Sequence, residues 1–308
     1  MKKENLLTNK LVVAILAIFS SVLWGSAFPV LKISYEQLEI PAEDVWSKVL
    51  FAGIRFFGAG IIIFLLIFFL KMKQKLEKKD FLMLFFLGIL QTTLQYFFFY
   101  IGVANTSGIK SAILISANTF LVVIFSHFIY HNDKMNMKKI IGLSTGLLGI
   151  IFVNWGQGFN FSFTLFGEGF LIFSGIVSAI GTILAKKMSS SLNPFFVTAW
   201  QMVLGAGIMI IIGGLKVEQA LKFNFISTTL LIYSMFLSGI AFSIWYVLLR
   251  YNKAGEISIY RFFIPVSGTI LSSIFLPDEY FTFNILIALC FVMIGIYAIN
   301  KKEKKIKI

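Results

Sequence analysis

Apolar residues run along this chain in blocks of about 20, the length an α-helix needs to cross the hydrocarbon of a bilayer. Short polar segments separate them. Ten blocks are legible, at residues 11–31, 45–70, 81–103, 109–130, 140–153, 169–185, 194–215, 229–249, 257–276 and 283–299. The fifth and sixth are short. The first is flanked by lysines, as a signal peptide would be, but it exceeds the roughly 7 to 15 apolar residues of that segment. The pattern predicts ten transmembrane helices.

Composition strengthens this reading. The chain is 58% hydrophobic and 13% charged, against about 45 to 50% apolar residues in soluble domains. The formal charge of +13 would suggest nucleic acid as the partner of a soluble protein. In a membrane protein it reflects the accumulation of Lys and Arg in cytoplasmic loops. With both termini placed inside, 20 of the 27 basic residues fall on the cytoplasmic side, including Lys71–Lys79, Lys134, Lys138, Lys139, Lys186, Lys187, Arg250, Lys253 and the tail from Lys301. Lys48, Lys110, Lys216 and Lys222 fall outside, Lys32 at an outer helix end, and Arg55 and Arg261 within spans. The lone Cys290 excludes an intrachain disulfide and a cysteine-rich metal site.

The chain also repeats itself. At an offset of 147 positions, Gly58-Ala59-Gly60-Ile61 falls on Gly205-Ala206-Gly207-Ile208, Asn105 on Asn252, Gly108 on Gly255 and Ser111 on Ser258. The first span needs an offset of 154, which places Lys32 on Lys186. Each half therefore holds five spans. Because five is odd, the second half enters the membrane from the opposite face, the inverted arrangement common among secondary transporters.

Several side chains are candidates for a site. Arg55 lies about ten residues into its span, roughly 15 Å deep at 1.5 Å per residue, where a guanidinium must face the bundle interior or a wet cavity. Its planar fork suits a carboxylate; packing against backbone carbonyls is the plainer role. Arg261 lies nearer the cytoplasmic start of the ninth span and can snorkel outward, or, pointing inward, serve the opposite gate. Gln91 and Gln95, with Tyr96 and Tyr100 following, make a polar stripe on the third span, and Ser234, Ser238, Ala241 and Trp245 share one face of the eighth. Such stripes serve close packing or a polar lining. Asn118 and Pro265 coincide in the repeat register, so the fourth and ninth spans are expected to bend or unwind there. Trp24, Trp200 and Trp245 lie in or near span interiors, where they could stack on a ligand or simply fill the core.

The chain carries no Walker A sequence and no nucleophile elbow or zinc-binding helix motif. An enzyme or sensor embedded in the membrane is poorly supported, and no cofactor is implied. None of the 14 acidic residues lies in mid-span, so passive facilitation or exchange stands beside proton antiport.

The first span ends Leu23-Trp24-Gly25-Ser26-Ala27-Phe28-Pro29-Val30-Leu31-Lys32, and the sixth carries Ala179-Ile180-Gly181-Thr182-Ile183-Leu184-Ala185-Lys186-Lys187 after Ser178. Arg55-Phe56 follows in the second span. Ile264-Pro265-Val266 leads to Leu276-Pro277-Asp278-Glu279 in the ninth. From about residue 11 to residue 300 the chain resembles the ten-helix branch of the drug/metabolite transporter superfamily, built of paired EamA domains. Two positions depart from that branch: Ser178 replaces the usual Trp, and Asn118 stands where a proline is common. The resemblance implies transport of small organic metabolites, amino acids and related compounds prominent among them, through a cavity lined by both halves.

The expectation is an all-α integral membrane protein of ten transmembrane helices in two inverted five-helix repeats. The repeats are read at 11–155 and 167–300, with a basic cytoplasmic tail at 301–308. The protein is read as a secondary transporter in the inner (plasma) membrane, with both termini cytoplasmic, exporting amino-acid-like metabolites by alternating access. A multidrug or lipid-like solute exporter is the alternative. Its partners are the lipid bilayer and a small-molecule substrate, with protons or a counter-substrate as candidate coupling partners. Nucleic acid is not among them, and the sequence leaves the oligomeric state open. Expected substrate-binding residues are Trp24, Arg55, Gln91, Gln95, Asn118, Ser238, Trp245, Arg261 and Pro265.

Overall fold

A computed structural model describes residues 6–106, 108–153, 163–277 and 280–301, without the side chains of residues 108–110, 112, 113, 117 and 153. Lys2, Lys3, the Lys110 side chain, the Asp278-Glu279 pair, the repeat boundary at 155 and the tail beyond Lys301 lie outside the described residues. Among the described residues ten helices form: α1 Lys10–Gln37, α2 Val45–Phe69, α3 Lys78–Ala104, α4 Gly108–Ile129, α5 Met137–Val153, α6 Leu165–Ser191, α7 Pro194–Lys216, α8 Phe225–Tyr251, α9 Ala254–Phe275 and α10 Phe283–Asn300; eight of them, all but α4 and α5, are long and apolar enough to cross a membrane. The sixth span is longer at both ends than its apolar block. Asn9, Asp44, Asn193 and Asn224 cap the starts of α1, α2, α7 and α8 by accepting hydrogen bonds from backbone amides.

Many of the largest apolar side chains point outward: Phe68, Phe69, Phe128, Leu215 and Phe225 are each more than 70% exposed. In water such a surface would aggregate, whereas in lipid it is the expected exterior. Lys10 Nζ donates to the Asn300 carbonyl (2.8 Å) and Lys138 Nζ to the Lys301 carbonyl (2.7 Å). The first helix therefore begins where the last one ends, at the end of the bundle that carries most of the lysines.

Packing obeys the repeat. The equivalent helices α2 and α7 pack along their whole length, as do α5 and α10; α1 lies against α8 and α9, and their counterparts α6 against α3 and α4. A Cβ added at Gly53 would meet Ile210, one at Gly60 would meet Val203, and one at Gly213 would meet Leu50. Contacts that run down one helix as they run up the other make α2 and α7 antiparallel. Gly142 beside Ile299 and Gly149 beside Ala288 give the same result for α5 and α10. Equivalent helices that cross in opposite directions are what an inverted duplication requires. These close approaches depend on small residues, because lipid supplies no hydrophobic drive between helices and contact must come from backbone proximity.

Three helices are irregular. A π-helical turn, Ile89–Leu94, interrupts α3, and another, Leu165–Gly169, opens α6. In α9 a 3-10 turn, Ile259–Phe262, precedes the α-helical Phe263–Phe275. Its cause is Pro265, which has no amide to donate to the Arg261 carbonyl four residues earlier. The expected break in the ninth span thus lies on the N-terminal side of the proline. The expected unwinding at Asn118 does not occur: α4 is α-helical throughout Gly108–Ile129, because Asn118 retains its amide and its side chain finds another partner.

Candidate functional site

Arg261, placed on the 3-10 turn of α9, points into the bundle and does not snorkel. Its Nη1 donates to Asn118 Oδ1 on α4 at 3.1 Å. Its guanidinium lies 5.4 Å from the Trp24 ring of α1 and 5.1 Å from the Trp245 ring of α8. The two indoles meet edge to face at 5.2 Å. A cation on two aromatic faces is attracted by the ring quadrupoles, but neither the rings nor the neutral amide cancels its charge. No ion pair among the described residues involves Arg261 or Arg55.

The polar atoms around this guanidinium are mostly donors, and several lack a partner. Arg261 Nε, Trp24 Nε1, Trp245 Nε1 and the Tyr246 hydroxyl are buried without a hydrogen bond in the protein. Tyr246 and Tyr96 both lie within the field of Arg261. A buried donor left unbonded costs about 1 to 3 kcal/mol, and these donors cluster around a fixed positive charge. Arg261, Trp24 and Tyr96 retain partial surface although they lie deep in the bundle.

Arg55 is placed differently. Its Nε donates to Ser238 Oγ at 2.8 Å and to the Ser234 carbonyl at 3.3 Å, both on α8, and its guanidinium lies over the ring of Phe56. Ser238 therefore anchors an arginine, and the small-residue face of α8 is buried along Ser234, Ser238, Ala241 and Trp245. Aromatic rings link the two arginines. Phe56 meets Tyr96 at 4.5 Å and Phe242 at 6.4 Å, and Phe242 meets Trp24 at 5.1 Å.

Gln91 lies in the π-helical turn of α3, and Gln95 opens the α-helical segment that follows it. Gln91 Nε2 donates to Gln95 Oε1 at 3.0 Å, and Gln91 Oε1 is buried without a partner beside α6. Gly181 makes room for it, since a Cβ there would fall 2.3 Å from Gln91 Oε1. Of the nine expected residues, the structure gathers Trp24, Asn118, Trp245 and Arg261 in direct contact; Arg55 and Ser238 form a second group joined to the first by the aromatic chain. Pro265 shapes α9, and Gln91 and Gln95 pair with each other. Trp200 packs edge to face with Phe64 and Phe81, outside this cluster. Sequence reading passed over Phe242 and Tyr246. Their signal was helical spacing, because Phe242 lies three positions before Trp245 on the same face. Gln201, fully buried and accepting from Thr92 Oγ1 at 2.7 Å, also escaped notice.

The chain matches the sequence pattern of the EamA-like transporter family twice, over residues 11–155 and 165–301. Among curated proteins it is 23% identical over 280 residues to the uncharacterized transporter YoaV of Bacillus subtilis, covering 90% of this chain and 92% of that one. The uncharacterized transporter YvbV of the same organism is 27% identical over 296 residues, covering 94% and 92%. A crystal structure of a protein 14% identical in sequence superposes with a TM-score of 0.75 over 93% of this chain and 97% of the other, a likeness of fold. With both halves matched by one family pattern, this protein belongs to the EamA-like family of the drug/metabolite transporter superfamily and is a multi-pass membrane transporter of small molecules.

Proposed function

We propose that the protein moves small organic metabolites bearing a carboxylate, amino acids or related compounds, and that it works as an exporter by alternating access. The observation that carries this reading is Arg261. A guanidinium held by Asn118 between two indoles, ringed by unpartnered donors and unopposed by an ion pair, suits a small anion. The flanking rings of Trp24, Trp245 and Phe242 suit an apolar side chain or ring on the same solute. In this reading the repeats are the units that rock, with both termini and the lysine-rich end facing the cytoplasm of a plasma membrane. Coupling is by exchange or by protons. The aromatic chain favours a second solute class, multidrug or lipid-like compounds, which the same assay separates.

The experiment is counterflow of radiolabelled amino acids and simple carboxylates in proteoliposomes. Removal of charged hydrogen bonds worth about 1.5 to 3 kcal/mol should lower the apparent affinity of Arg261→Ala roughly ten- to hundredfold. Competition by hydrophobic cations but not by carboxylates would reverse the assignment.

A further inference from the structure

On the outer surface, away from the aromatic centre, α4, α6 and α8 leave a lateral cleft of about 610 Å³. Its walls are apolar, formed by Phe125 and Ile129 of α4 and Ile180, Ile183 and Leu184 of α6. Ile129 and Ile180 are 55% and 43% exposed, so the cleft opens sideways, toward the hydrocarbon that surrounds the bundle. α4 and α6 run parallel here, with Gly175 beside Asn118 and the Tyr130 hydroxyl donating to the Ile183 carbonyl. Both helices therefore run toward the lysine-rich end of the bundle, α4 finishing beside Ile183 and α6 continuing to Ser191.

That end of the cleft is cationic. Lys186, Lys187 and Arg250 line it, all within two turns of a helix end and hence at headgroup depth. Lys186 Nζ donates to the carbonyls of Leu249 (3.0 Å) and Asn252 and lies over the ring of Tyr130. Arg250 Nη1 donates to the Leu192 carbonyl at 3.1 Å. These bonds to neutral carbonyls fix the two cations without cancelling them. Lys187 is exposed beside them. The carboxylate that Lys186 feels is Asp133, which is committed to Lys139 and to the Gly255 amide.

The geometry points to a site for an anionic phospholipid, its phosphate against Lys186, Lys187 and Arg250 and an acyl chain along the apolar groove beneath them. Basic pockets between transmembrane helices recognise lipid headgroups in this way. A free phosphate could use the cations but would leave the groove empty, and a neutral lipid could fill the groove but leave three positive charges unanswered. This site is distinct from the Arg261 centre and does not depend on which solute is carried.

The test is native mass spectrometry of the full-length protein released from bilayers containing equal phosphatidylglycerol and phosphatidylcholine. The wild type should retain phosphatidylglycerol in preference, and Lys187→Gln should weaken that preference about fivefold, the effect of one basic residue near a membrane surface. Lys187→Glu should abolish it. Both changes are at an exposed position, so folding is preserved. Lys216→Glu, at the exposed far end of α7, should leave retention unchanged. Equal retention of the two lipids by the wild type would overturn the proposal. So would retention that Lys187→Glu does not alter, or displacement of the lipid by millimolar inorganic phosphate.

Discussion

Arg261 Nη1 donates to Asn118 Oδ1 at 3.1 Å, and this bond joins α9 to α4, the two helices that the internal repeat makes equivalent. It spans the line along which two rocking halves would separate. A substrate acceptor placed at Arg261 would compete with, or add to, the only side-chain acceptor the described protein offers that guanidinium.

Replacing Asn118 by Asp should therefore uncouple stability from transport. A carboxylate at that position would neutralise Arg261 from within the protein, so the variant should melt at a higher temperature while counterflow falls toward background. Asn118→Ala should do the reverse to stability, because loss of the acceptor strands a buried donor at about 1 to 3 kcal/mol. Thermal melting in detergent beside proteoliposome transport distinguishes the two.

Ser238→Ala removes the nearer acceptor of Arg55 Nε and leaves the Ser234 carbonyl at 3.3 Å. The expected outcome is a stability loss of about 1.5 to 3 kcal/mol with apparent substrate affinity changed less than twofold. A large rise in the half-saturation concentration would instead put Arg55 in contact with the solute.

The two glycines of the Gly205-Ala206-Gly207 motif should behave oppositely. A Cβ at Gly205 would fall 2.3 Å from the Gly88 carbonyl oxygen of α3, whereas a Cβ at Gly207 would meet nothing within 4 Å. Gly205→Ala forces two helix backbones apart, at a cost of about 1 to 3 kcal/mol. Gly207→Ala should be neutral or slightly stabilising, since alanine is the better helix former by about 1 kcal/mol. Comparison of their melting temperatures is sufficient.

At the lysine-rich end, Asp133 and Lys139 form a buried pair, 0% and 1% exposed at their side chains, and Asp133 Oδ2 accepts from the Gly255 amide at the start of α9 at 2.8 Å. Asp133→Asn leaves the Lys139 charge buried and unpaired, which costs about 3 to 5 kcal/mol. Asp133→Asn combined with Lys139→Met should recover part of that loss. If the double variant melts no higher than the single one, the carboxylate's bond to α9 outweighs the ion pair.

The spans, their alternating direction and the duplication were legible in the one-dimensional pattern. Lipid imposes a length and an apolar composition on each helix, the lysines segregate to one end, and the recurring Gly-Ala-Gly segments mark the register of the duplication. Antiparallel packing of α2 with α7 and of α5 with α10 follows from an odd number of helices per half. Only the tertiary structure decided what each arginine meets inside the bundle. That choice depends on the rotation of each helix about its own axis, which an almost uniformly apolar surface does not specify. Arg55, the deeper in sequence, is taken up by Ser238 on a neighbouring helix. Arg261, the shallower, is turned inward on a 3-10 segment preceding Pro265 and meets Asn118, Trp24 and Trp245, partners from three other helices that no sequence spacing brings together.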